Sequence, residues 1–313
     1  MARKIILDCD PGHDDAIAIL LAHAHPAVEL LAVTTVAGNQ TLPKTTLNAR
    51  RVMTVAGIRD VPVAAGADRP LVREQVVAAD IHGESGLDGP RFGEPTVELD
   101  PRHAVDLIIE TVLREDDVTL VPVGPLTNIA LAIRREPRIL RRIREVVLMG
   151  GSCTLGNVTP AAEFNIYADP EAAQIVFSSG LPLTMVGLDL THQVRATPEV
   201  VERIRALGNP VAEMAADLLT FFASTYRKVF GFEGAPLHDP CAVAYLIDPQ
   251  LIECQPANVE VELRGTWTYG ATVCDLYGVT GRPANARVAT RIDRERFWDL
   301  IVEALAGYGR AAG

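Results

Sequence analysis

The chain has 313 residues, 48% of them hydrophobic, and a formal net charge of −11. That charge argues against a nucleic-acid partner, because neutralising phosphates needs a basic surface, and no apolar run approaches the length that crosses a bilayer. The five cysteines, Cys9, Cys153, Cys241, Cys254 and Cys274, show no paired spacing that would imply a disulfide framework or a zinc site.

The N-terminus Met1-Ala2-Arg3-Lys4 meets Asp8 and Asp10 too soon for a secretory apolar core, so a cytoplasmic protein is expected. Ile5-Ile6-Leu7 reads as a strand, in which Asp8 and Asp10 fall on the same side. Pro11-Gly12 breaks it, and Asp14-Asp15 open a helix over Ala16 to Leu21. Val28 to Val36 is a β-branched strand ended by Ala37-Gly38-Asn39, with a helix from Thr41 to Ala56 and a short strand at Val61 to Ala64. Residues 66–100 lack periodicity, and a segment that long without structure of its own is usually functional or disordered. Pro101 to Leu113 reads as a helix with Asp100 as its N-cap. A strand at Val118 to Val123, a helix at Leu126 to Arg135 and a strand at Val146 to Met149 follow, and a loop runs from Gly150 to Pro170. The basic run Arg134 to Arg144 carries isoleucines and leucines at helical spacing, which favours a solvated amphipathic helix over a binding patch.

A helix at Glu171 to Ser178 and a strand at Leu183 to Val186 come next, and beyond Pro198 the pattern is mainly helical to about Phe230. His238-Asp239 precedes a helix at Cys241 to Ile247. Val259 to Leu263 and Ala271 to Asp275 form a hairpin across a turn with Trp267 and Tyr269, and a strand at Arg287 to Ile292 and a helix at Arg294 to Leu305 finish the chain. This alternation implies an α/β fold, an open and mostly parallel twisted sheet flanked by helices. With no repeat or linker, residues 1–313 are expected to form a single domain.

Four carboxylates within eight residues, Asp8 to Asp15, repel unless a cation or raised pKa values relieve them. The plainer alternative is that Asp14 and Asp15 cap the helix and Asp8 makes local hydrogen bonds. Each polar cluster follows an apolar strand, and ligands of open parallel sheets bind outside the strands' carboxyl ends. Oxygen-only ligands favour a hard cation. One held by Asp10, Asp15 and Asp239, with the Val123 carbonyl, would leave places for water and substrate hydroxyls. Asn39, Asn157, Glu163 and Asn165 suit a hydroxyl-rich ligand, although Asn157 could equally be a turn residue and Glu163 a cap. No glycine-rich loop with lysine accompanies them, which argues for a sugar over a nucleotide. His82 lies on the aperiodic segment, where a histidine is often unremarkable; His238 beside Asp239 is better placed. His23, His25, His103 and His192 read as structural or surface residues.

Six motifs in order, Leu7-Asp8-Cys9-Asp10-Pro11-Gly12-His13-Asp14-Asp15, Ala37-Gly38-Asn39, Gly124-Pro125-Leu126-Thr127-Asn128, Met149-Gly150-Gly151, Ala162-Glu163-Phe164-Asn165 and His238-Asp239-Pro240, resemble those of the nucleoside hydrolases, the inosine–uridine-preferring N-ribohydrolases. His82 to Gly89 and Gly231 to His238 most resemble the pyrimidine-specific subgroup. The resemblance implies a Rossmann-like core, a homodimer or homotetramer, and Ca²⁺ bound by Asp10, Asp15, Asp239 and the Val123 carbonyl. Asp10 would take the proton of the metal-bound water. Asp14, Asn39 and Asn165 would hold the ribose 2′- and 3′-hydroxyls, Asn157 and Glu163 the 5′-hydroxyl, and His82, Tyr226 and His238 would lie near the base. Histidine suits proton donation to a departing base because its ordinary pKa is near neutrality, and His238, fixed beside Asp239, is the expected leaving-group acid. The rival readings are a broad-specificity or purine nucleoside hydrolase, a haloacid dehalogenase-type phosphatase using Asp8 and Asp10, and a nucleoside-binding protein without turnover. The phosphatase reading leaves Asp14 and Asp15 without a role.

Overall fold

The computed structural model describes residues 2–310. In chain order the elements are β1 (Arg3–Cys9), α1 (His13–Ala24), β2 (Val28–Thr35), α2 (Leu42–Ala56), β3 (Val63–Ala65), α3 (Ala79–His82), α4 (Ala104–Arg114), β4 (Val118–Pro122), α5 (Thr127–Arg135) and β5 (Ile143–Met149). They continue with α6 (Phe164–Ala168), α7 (Pro170–Phe177), β6 (Leu183–Val186), α8 (Leu188–Thr191), β7 (Arg195–Ala196), α9 (Pro198–Arg205) and α10 (Pro210–Phe230). The last are β8 (Ala235–Pro236), α11 (Pro240–Ile247), β9 (Ile252–Val261), β10 (Thr272–Asp275), β11 (Ala286–Ile292) and α12 (Arg294–Arg310).

Nine strands form one sheet in the order β10-β9-β11-β6-β5-β4-β1-β2-β3. All neighbours from β11 to β3 pair in parallel, while β9 runs antiparallel to both β11 and β10. The expected α/β sheet is therefore the observed one, and the β9–β10 hairpin is present with Thr272 opposite Val261. Strand alternation sends successive side chains to opposite faces: Ile5, Leu7 and Cys9 join one apolar core, with α1, α10 and α12, and Ile6 joins the other, with α4, α5 and α7. Covering both faces is what makes the parallel strands nearly continuous apolar runs.

From β1 the chain builds outward through β2 and β3, then returns to lay β4 on the other side of β1. The crevice between β1 and β4 is thus a topological switch point, where open α/β sheets bind ligands. Asp10 follows β1, Asn39 follows β2, Val123 follows β4 and Gly150 follows β5.

Two local expectations fail. Helix α4 starts at Ala104, capped by the His103 ring, because Asp100 is engaged with the backbone and guanidinium of Arg102. The basic run is not one helix: α5 stops at Arg135, a 3-10 turn covers Pro137–Arg141, and β5 begins at Ile143. Pro137 ends the helix, and buried Ile139 anchors the turn. Residues 66–100 are largely irregular, but they include α3, which carries His82 into the interior.

Candidate active site

Asp15 binds the turn that presents it. Its carboxylate accepts from the backbone N–H groups of Asp10 (3.0 Å) and Gly12 (2.9 Å), satisfying donors left free at the start of α1. The capping role and the site role thus fall on one residue. Asp8 makes no local side-chain hydrogen bond but accepts from distant residues, Thr34 Oγ1 (2.6 Å) and Asn128 Nδ2 (2.8 Å), and so ties β1 to β2 and α5. Asp10 Oδ2 accepts the Asn39 backbone N–H at 2.6 Å, while the Asn39 amide donates to the Asp10 carbonyl (3.2 Å) and to Asp15 Oδ2 (3.3 Å). Gly38 and Gly124 close over the Asp10 carboxylate so tightly that a Cβ on either would stand 2.1 Å and 2.5 Å from its oxygens. This close approach is why Ala37-Gly38-Asn39 and Gly124-Pro125 carry glycine.

Carboxylate oxygens of Asp14, Asp15 and Asp239 lie within 4.8 Å of one another, and all three residues are buried. Asp10 lies outside this trio and does not line the pocket, but it accepts from the pocket-lining Asn39, and its Oδ1 is buried without a hydrogen-bond partner. Burial, reinforced by the Asp15 charge, raises Asp10 well above the carboxylate range; the same two causes raise Asp14 to about 8. Burial raises Asp239 as well, with Asp14 and Asp15 adding to it. An orphaned buried oxygen beside three converging carboxylates is a donor set that fits a hard cation. Val123 lines the same pocket, and its carbonyl accepts from Asn165 Nδ2 at 2.8 Å.

Above the acids the pocket is walled by Asn39, His82, Asn157, Glu163, Asn165, Tyr226 and His238. Glu163 is the N-cap of α6, accepting from the backbone of Asn165 and Ile166, and burial raises it to about 7. Asn157 Oδ1 accepts the Phe164 N–H at 2.9 Å, which ties the loop to the same helix. Of the residues expected at the site, all but Asp10 and Asp15 line this one pocket; Asp15 joins the acidic trio, and Asp10 hydrogen-bonds the pocket-lining Asn39.

His238 is buried between two hydroxyls, with Nδ1 2.7 Å from Thr191 Oγ1 and Nε2 2.8 Å from the Tyr226 hydroxyl. Burial, with His192 nearby, lowers its pKa well below the usual value and keeps the ring neutral. Thr191 and His192 escape the sequence reading. His192, expected to be structural or a surface residue, packs its ring edge-on against His238 at 5.7 Å and does not line the pocket. The rule that sites gather at strand carboxyl ends, applied to β6, would have found both. His13 also escapes: it is buried, stacked on Phe221 and Phe222, and its ring touches His82.

Switch-point placement, a buried acidic cluster and amide-lined walls define a small-molecule site in an open α/β fold. The chain belongs to the inosine-uridine preferring nucleoside hydrolase family, which it matches over residues 5–299, and it is an N-ribohydrolase. It is 53% identical over 307 residues to the pyrimidine-specific ribonucleoside hydrolase RihB of Escherichia coli (strain K12), covering 98% of each chain. The solved purine-preferring ribonucleoside hydrolase from Gardnerella vaginalis superposes with a TM-score of 0.92 at 34% identity, over 98% of this chain and 99% of that one. The inosine-uridine preferring nucleoside hydrolase from Bacillus anthracis gives 0.79 at 25% identity, over 98% and 100%. Among the described residues no helix is long and apolar enough to cross a membrane.

Proposed function

We propose that the protein hydrolyses the N-glycosidic bond of pyrimidine ribonucleosides, uridine and cytidine, to ribose and free base, with Ca²⁺ held by Asp10, Asp15, Asp239 and the Val123 carbonyl. The observation that carries the reading is the partnerless buried Asp10 Oδ1, on a carboxylate bonded to the pocket-lining Asn39. When bound, Ca²⁺ supplies a fixed positive charge that acidifies a coordinated water and orients the ribose diol.

Asp10 accepts the proton of the attacking water, its other oxygen steadied by the Asn39 N–H. Asp14, Asn39 and Asn165 hold the 2′- and 3′-hydroxyls, and Asn157 and Glu163 take the 5′-hydroxyl. Carboxylates below the sugar favour the oxocarbenium-like charge that develops as the bond to the base breaks. The acid role expected of His238 is exerted through Tyr226: its O–H donates to the departing base, and the Nε2–H of His238 supports the phenolic oxygen as negative charge builds. The Thr191 hydroxyl donates to Nδ1 and fixes that tautomer. Base preference is assigned from the 53% identical relative, since a purine-preferring enzyme also has this fold. The enzyme acts as one domain in a cytoplasmic homodimer or homotetramer.

Release of reducing sugar from a nucleoside panel tests this. Uridine and cytidine should exceed inosine and adenosine in kcat/KM. Deoxyuridine should be a much poorer substrate than uridine, because each buried polar group left unpaired costs about 1–3 kcal/mol. A preference for inosine would overturn the base assignment, and equal use of deoxyuridine would overturn the diol assignment.

A further inference from the structure

His13 and His82 meet through their Nδ1 atoms at 3.0 Å, with ring centroids 5.3 Å apart and planes 27° from parallel, so both nitrogens lie between the rings. The other nitrogen of His13, Nε2, stands 2.8 Å from the Asp88 carbonyl. A carbonyl only accepts, so His13 Nε2 must carry a proton. Among the described residues no carboxylate oxygen hydrogen-bonds the His13 ring, and a buried unpaired imidazolium is strongly disfavoured. His13 is therefore neutral, and its Nδ1 is a bare acceptor. The proton between the two rings must then belong to His82 Nδ1. The His13 backbone N–H also points at that nitrogen, at 3.4 Å, the longer of its two contacts. Once Nδ1 is protonated, His82 Nε2 is left as a lone pair. Among the described residues nothing bonds it, it is not among the buried partnerless atoms, and His82 lines the pocket.

We infer that His13 is a positioning residue that fixes the tautomer of His82, so that His82 presents an acceptor to the base and selects bases carrying an N–H on the edge that meets it. The carbonyl of Asp88 starts a one-way chain: Asp88 sets His13, His13 sets His82, and His82 reads the base. In a pyrimidine the matching donors are the N3–H of uracil and the exocyclic amine of cytosine. An acceptor there leaves a base without that N–H facing an unpaired lone pair. The parallel packing of His13 against Phe221 and Phe222, at 5.2 Å and 5.1 Å, holds the ring in the orientation this chain needs. The last link of this inference rests on the pyrimidine reading; the tautomer does not.

The test has a substrate-free arm and a kinetic arm. In ¹⁵N-histidine-labelled protein, with His82 assigned by loss of its signals in His82→Phe, Nδ1 should appear protonated and Nε2 bare. His13→Asn, whose amide oxygen can replace the Nδ1 acceptor, should keep that state, and His13→Phe should lose it. His13→Gln, which keeps a donor for Asp88 without the acceptor for His82, serves if the Phe variant does not fold. In kinetics, the wild type should favour uridine over 3-methyluridine by at least about 10-fold in kcat/KM, the scale of one lost hydrogen bond. That ratio should fall toward the His82→Phe value in His13→Phe and be retained in His13→Asn. A protonated Nε2 in the wild type, or a tautomer and ratio unmoved in His13→Phe and His13→Gln, overturns the inference. Failure of the wild type to hydrolyse uridine instead overturns the pyrimidine reading, and the ring-nitrogen spectrum still decides the tautomer.

Discussion

Tyr226→Phe isolates the leaving-group step. The hydroxyl removed stands 2.8 Å from His238 Nε2, while the ring packs edge-on against Phe222 at 4.9 Å and 85°. Phenylalanine keeps that packing, so the change deletes one donor and leaves His238 Nε2 buried without its partner. The stability loss should be about 1–3 kcal/mol, the cost of one unsatisfied buried polar group. Loss of a positioned acid should lower kcat on uridine by about 10²–10⁴-fold. KM should move much less, because the hydrogen bond to the base strengthens only as the bond to ribose breaks. The assay compares uridine with p-nitrophenyl riboside, whose leaving group departs without a proton. The reasoning requires a large kcat loss on uridine and a near-normal rate on the nitrophenyl substrate. Equal falls on both would refute it and reduce Tyr226 to a packing residue.

Two further substitutions probe the acid floor. Asp10→Asn should fold, because the new amide oxygen can still accept the Asn39 N–H, but it removes the proposed base and one proposed ligand charge. Turnover of uridine should fall by about 10²–10⁴-fold, with equilibrium binding of ribose far less affected; retained turnover would assign the base elsewhere. Gly38→Ala would push a methyl to 2.1 Å from Asp10 Oδ2 and 2.8 Å from Pro125 Cδ. Overpacking should cost about 1–3 kcal/mol of stability, and displacing the carboxylate by about 1 Å should cost about 10²-fold in kcat/KM. Thermal unfolding and uridine kinetics read both, and an unchanged kcat/KM would show that the carboxylate's position is not critical.

Much of this was readable from the chain because the signals are local. Apolar strands alternating with helices announce a parallel sheet, and turn chemistry at Pro11-Gly12, Gly38 and Gly124 marks where polar groups leave it. What the sequence hides depends on contacts between distant residues. Asp100 looks like an N-cap until Arg102 takes its carboxylate, and His103 does the capping instead. His82 sits in an aperiodic segment, yet His13 and Phe222 draw it inside. Thr191 meets the site only because α8 brings its hydroxyl to His238 Nδ1, 47 residues further along the chain. No periodicity shows that β11 returns to pair with β6, which sets the far half of the sheet.

The central claim is that the buried acids exist to hold a cation for ribonucleoside hydrolysis. The most direct test is uridine hydrolysis by protein stripped with a strong calcium chelator, assayed before and after stoichiometric Ca²⁺, alongside elemental analysis. The account predicts one Ca²⁺ per chain in the untreated protein, near-complete loss of ribose release on stripping, and recovery on adding Ca²⁺. Full activity in protein shown by elemental analysis to carry no divalent metal would contradict it.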